Sequence, residues 1–221
     1  FNQPLESWDV SQVTTMKKIF SGAHAFNHTL DSWDVSSVMG MSYIFSDAYA
    51  FNHALDSWDV SNVLDMSHMF SSALAFNQPL ESWDVSQVTT MEGMFYEAGA
   101  YNQALESWDV SRVADMELMF HYASAFNQPL NSWNVSKVTN FADMFYGASF
   151  FSRALCSSIW ESAFKRFTDA CIEDEDECSG YGSGYGAEDI RENTFAESQG
   201  ALLCCDPGKY LKNNVSKPQC D

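Results

Sequence analysis

The chain has 221 residues, 46% of them apolar, and carries 30 acidic against 11 basic side chains for a formal net charge of -19. That sign excludes a nucleic-acid binder, because phosphate recognition needs cations, and it favours a soluble surface protein or one that meets cations or basic partners. No apolar run approaches ~18 residues, so no membrane-spanning helix is expected. No P-loop, G-x-S-x-G, H-E-x-x-H or Rossmann glycine pattern is present, so the chain does not read as an enzyme.

From Phe1 onward one 25-residue unit is written six times, starting at Phe1, Phe26, Phe51, Phe76, Tyr101 and Phe126, with a degenerate seventh start at Phe151. A fixed period of this length predicts a solenoid. In the first unit Leu5, Trp8 and Val10 bracket an alternating stretch, which predicts a short strand buried on one side. Met16, Ile19, Phe20 and Ala23 then fall at i, i+3, i+4 and i+7, which predicts about two turns of helix. Ser11 stands at the corner between them. One such unit cannot bury its own Trp, Phe and Met, so neighbouring coils must stack, with strands pairing in parallel at roughly 4.8 Å. The stack is expected to bury a ladder of Trp8, Trp33, Trp58, Trp83, Trp108 and Trp133.

The unit Phe-Asn-Gln-Pro-Leu-x-x-Trp-Asp-Val-Ser-x-Val-Thr-x-Met-x-x-Met-Phe-x-x-Ala, clearest from Phe76 to Ala98, resembles the BspA-like leucine-rich-repeat surface proteins. The closest likeness is to their 25-residue variety from mycoplasma lipoproteins, other host-associated bacteria and marine microalgae. It covers residues 1 to about 155. The resemblance implies an extracellular, non-enzymatic protein of adhesion or surface architecture, and supplies no ligand and no catalytic residue. The expected fold is therefore an α/β solenoid, leucine-rich-repeat-like, with a short parallel strand and a short helix in each coil over residues 1–155. A Cys-rich cap fills 156–221. Because the sequence opens directly on a repeat, either a leader and N-terminal cap were processed away or the chain is a piece of something longer.

The repeats hold no cysteine, whereas Cys156, Cys171, Cys178, Cys204, Cys205 and Cys220 crowd the end of the chain. Their even number predicts three disulfides in an oxidising compartment, with the pairing open. No C-x-x-C pair supports zinc. In the seventh unit Cys156 follows Leu155 and Trp160 arrives late, so Ala163, Phe164 and Phe167 are expected on a helix covering the last coil. The runs at 173–177 and 179–186 read as solvated loops.

Two files of acids are expected on the outside. Asp9, Asp34, Asp59, Asp84 and Asp109 form one, and Glu6, Asp31, Asp56, Glu81 and Glu106 form the other. Carboxylates about 5 Å apart repel by roughly 1 to 3 kcal/mol per pair. Three readings remain open: each Asp orders its own corner by accepting the N–H two residues on, calcium bridges the coils, or a basic protein or cationic ligand binds. Both files end together at Asn131 and Asn134. Asn2, Asn27, Asn52, Asn77, Asn102 and Asn127 suit a buried amide ladder between coils, while neighbouring His28 and His53 lack a third metal ligand. Sequons stand at Asn27, Asn134 and Asn214, and Asn134 would carry a glycan on the exposed face. The functional expectation is a surface recognition or adhesion scaffold, outside the cell or on its surface, whose partner is a protein or glycan. The alternative is a subunit of an extracellular filament or coat, built from copies of the chain stacked end to end.

Overall fold

The computed structural model describes residues 1–155 and 157–173, with side chains through Phe167. The 25-residue units stack as six coils of a solenoid, and the only long helix among the described residues is α1 (Ser158–Glu173), which closes the C-terminal end. The core is the file of inward residues repeated coil by coil. In the third coil Phe51, Leu55, Trp58, Val60, Val63, Met66, Met69, Phe70 and Ala73 are all buried, and every internal coil repeats the pattern.

The coil is not the expected strand and helix. Residues 5–10 form no strand: Trp8 N–H donates to Leu5 C=O and Val13 N–H to Val10 C=O, so the chain turns two corners there. Residues 16–23 form no helix either. Parallel pairing falls instead at Thr15, Gly40, Asp65, Thr90, Asp115 and Asn140. From there the amides of Met16, Lys18, Phe20 and Gly22 reach across to the carbonyls of Gly40, Ser42, Ile44 and Ser46 in the next coil, at 2.8–3.0 Å. An α-helix would spend those amides within its own segment. The bonds between coils repeat at each step, so four columns of hydrogen-bonded peptide units run through the stack.

Between the columns the chain is held by tight turns, such as Ile19 N–H to Met16 C=O and Ala23 N–H to Phe20 C=O. Their third residues are left-handed in every coil: Lys18, Tyr43, His68, Gly93, Leu118 and Asp143 at one position, and Gly22, Asp47, Ser72, Glu97, Tyr122 and Gly147 at the other. Positive φ at that place is the signature of a type II turn. Two such turns in succession point the same side chains inward as two turns of helix would, which is why the i, i+3, i+4, i+7 pattern appears without a helix.

Aromatic rings fill the interior in two facing columns. Phe20 stacks on Phe26 at 4.3 Å, Phe70 on Phe76 at 4.1 Å, and Phe120 on Phe126 at 3.9 Å. Each Trp indole N–H donates to the carbonyl of the Leu 28 residues earlier, from Trp33 to Leu5 at 3.1 Å through Trp133 to Leu105 at 2.8 Å. Five of the six repeat tryptophans are buried as expected. Trp8 is not: it is 57% exposed against 3% for Trp33, since no coil precedes it in this sequence.

The seventh rung is built differently. Leu155 keeps the period, but the indole N–H that bonds Leu130 C=O, at 3.1 Å, belongs to Trp160 on α1. The helix thus delivers a Trp to the rung from a different backbone. Phe141, standing where the earlier coils have Met, stacks on Phe164 of α1 at 4.6 Å. Ala163, Phe164 and Phe167 are buried on this contact, so the expected capping helix is present. Glu173, expected to open a loop, is the last residue of α1. The disulfides expected of Cys156, Cys178, Cys204, Cys205 and Cys220, the Cys171 side chain, the rest of the two loop runs and Asn214 lie outside the described residues.

Candidate functional site

The outward side chains of a solenoid form its working surface, and here the corner at positions 9 to 12 of each coil is the most ordered part of it. Asp9 Oδ1 accepts from Ser11 N–H at 3.1 Å and from Ser11 Oγ at 2.7 Å. Asp34 with Ser36 and Asp59 with Ser61 repeat both bonds. Asp84 and Asp109 accept from the amides of Ser86 and Ser111. The hydroxyl bond and then the amide bond hold the carboxyls of Asp9, Asp34, Asp59 and Asp109 below the usual range. The turn-ordering reading of this file is therefore what the geometry shows, and it leaves one carboxylate oxygen of each Asp facing solvent. In the sixth coil Asn134 makes the same turn with Ser136 N–H at 3.2 Å, so the amide replaces the charge without changing the corner.

Glu6, Asp31, Asp56, Glu81 and Glu106 are all exposed at the preceding corner. Among the described residues no group of three or more His, Cys, Asp or Glu side chains comes together to hold a metal ion. His68 Nε2 lies 3.3 Å from Glu92 Oε1, away from both files.

The asparagine ladder bonds as expected but is not buried. Each Asn Oδ1 accepts the backbone N–H of the next Asn along, from Asn2 and Asn27 at 3.1 Å to Asn102 and Asn127 at 2.9 Å, while the side chains stay exposed or half-buried. Asn27, expected in a buried ladder, is exposed. His53 Nε2 bonds Asn27 C=O at 3.1 Å, the role played by Gln78, Gln103 and Gln128 in later coils. It is thus a stand-in for glutamine rather than half of a metal pair.

A third group of acids escaped the sequence reading. Asp65, Glu92, Asp115, Glu117 and Asp143 gather beside the hydrogen-bonded columns in coils three to six, half-buried rather than exposed. Burial pushes the carboxyls of Asp115 and Asp143 up, and for Asp143 the neighbouring Glu117 adds to it. Asp115 Oδ1 accepts from Glu117 N–H at 2.9 Å, and Asn140 donates to Glu117 at 2.9 Å. These positions drift between units, so periodicity did not mark them. The available signal was an acid between inward Val63 and Met66, and again between Val113 and Met116.

This architecture defines a repeat solenoid of turn-built coils. The family described as "Mycoplasma protein of unknown function, DUF285" matches residues 1–98 and again 78–170, and the chain belongs to that family. No curated protein and no solved structure matches it.

Proposed function

We propose that the chain is a non-enzymatic recognition scaffold of the extracellular surface, of the BspA-like kind, whose exposed acidic files meet a basic protein or a cationic group on another surface. The observation that carries this reading is the Asp-Ser corner. Coil after coil it fixes one carboxylate in a defined direction and leaves an oxygen outward. A rigid array at a constant interval loses little side-chain freedom on binding. The stretch 19–111 contains neither Lys nor Arg, so nothing along it offsets the field.

The filament reading has less support, because head-to-tail stacking needs two open complementary ends. The C-terminal end is covered by α1. The decisive experiment is capture of the chain by cells or matrix of a candidate host, comparing it with the Asp34→Asn, Asp59→Asn, Asp84→Asn variant. Asn134 shows that Asn preserves the corner. Salt-sensitive capture lost in the variant is the expected result. Capture unchanged by salt and by the three substitutions would remove the acidic file from the account.

A further inference from the structure

The bases of this chain are unevenly placed, and three of them share one file. Arg112 and Lys137 occupy the twelfth position of the fifth and sixth coils, on the corner beside the Asp file, and Arg112 donates to Gln87 at the same position one coil back. Arg166 of α1 continues the file. It donates to Ser136 C=O at 2.8 Å, as Asn62 at the twelfth position of coil three donates to Ser36 C=O at 2.9 Å. Like the indole of Trp160, this guanidinium supplies a seventh rung from the helix. All three cations are exposed, and the acids that would otherwise flank Lys137 are Asn131 and Asn134. One corner of the rod is thus acidic through the first five coils and basic through the last three rungs.

We propose that this corner pairs with the same corner of a second copy, the two rods antiparallel about a two-fold axis at the fourth coil. In that register rung seven meets rung one, six meets two and five meets three. Arg166 then faces Asp9, Lys137 faces Asp34 and Arg112 faces Asp59, and the dyad repeats the set. The next outward position obeys the same register: exposed Met39 meets Thr139 and exposed Leu64 meets Ala114, a large apolar side chain against a small one each time. A second copy suits this face better than a flexible polyanion does, because its carboxylates recur once per coil, the interval at which the cations recur. The proposal stands apart from the capture of a host surface, since its readout is mass.

Sedimentation equilibrium of the full chain tests it. Salt alone is a poor variable, because it relieves the repulsion between two bodies of charge -19 while weakening the local pairs. Charge exchange is decisive. The wild type is expected to dimerise at concentrations up to about 1 mM, the weak end for a rim of exposed ion pairs. Arg112→Glu with Lys137→Glu should be monomeric with unchanged melting temperature, Asp34→Lys with Asp59→Lys should be folded and monomeric with a melting temperature lowered by the loss of two Asp-Ser corners, and an equal mixture of the two should recover a heterodimer. If either double variant fails to fold, Lys137→Glu mixed with Asp34→Lys asks the same question of one pair. A monomeric wild type, a dimer indifferent to the reversals, or a mixture that stays monomeric would overturn the proposal. A monomer retained on a sulfated polysaccharide through Arg112 and Lys137 would do so in favour of a polyanion.

Discussion

The two ends of the rod make the same core from opposite circumstances. The first coil has the full consensus, yet Trp8 is 57% exposed, with no coil of this sequence stacked on its outer face. At the other end the repeat has lost its period, yet the seventh indole is buried and bonded because a helix brings Trp160 to the vacant rung. A Trp in this molecule is therefore stabilised by what occupies the neighbouring rung, not by the segment that carries it, as expected where interfaces between repeats supply most of the stability.

The comparison is broken most directly by truncating indoles. Trp83→Ala and Trp160→Ala should each cost about 3 to 5 kcal/mol in denaturant unfolding, and Trp8→Ala about 0.5 kcal/mol or less. Equal losses at Trp8 and Trp83 would show that the unit stabilises itself. A smaller effect is expected at Gly93, which is left-handed with the His68 ring lying against the place a Cβ would occupy. Gly93→Ala should cost about 1 to 2 kcal/mol from the backbone and a further amount for displacing the His68 ring, and only that second part should be recovered when His68 is also Ala, measured by the same unfolding curves.

Tyr101 sharpens the picture from the other side. It takes a Phe position, stacked on Phe95 at 4.1 Å, and its hydroxyl is buried without a partner. Tyr101→Phe should therefore raise stability by about 1 kcal/mol or more, and a loss would mean that the hydroxyl is satisfied.

The smallest effect expected is electrostatic, and its sign differs between surface and groove. The Asp-Ser corners have lowered carboxyls, so their contribution is present above the ordinary carboxylate range and is lost as pH falls through the lowered values. Asp115 has a raised carboxyl, so its ionised form weakens the fold, and that loss disappears as pH falls through the raised value. Asp115→Asn should increase the melting temperature by about 2 to 4 °C at pH 7 and leave it unchanged near pH 3. An increment of the same size at both pH values would exclude ionisation as the cause.

The inward files were legible in the sequence because burial repeats with the unit. Which backbone delivers them was not, since a run of type II turns and a short helix put the same positions inside. The distinguishing mark was present in Gly22, Gly93 and Gly147, which recur at the two left-handed positions, but Tyr43, Leu118 and Tyr122 share those positions and obscure it. At the surface, Asp-Val-Ser announced its turn. The half-buried acids and the cation file stayed hidden, because one drifts between units and the other passes from repeat to helix at Arg166.

The four columns of peptide units also give the rod an electrical direction. In each column the carbonyls point back toward the first coil and the amides forward toward the cap; the column at Thr14, Met39, Leu64, Thr89, Ala114 and Thr139 runs the other way and offsets one of the four, so the remaining dipoles add and make the first coil the negative pole. The sense is opposite to that of an α-helix, whose carbonyls point toward its C-terminus. Lys17 and Lys18 sit at that negative pole, at the end of a base-free span running to residue 111. The four columns therefore give the solenoid a polarity that no side chain supplies: cations are favoured toward the first coil, and α1 packs at the opposite pole.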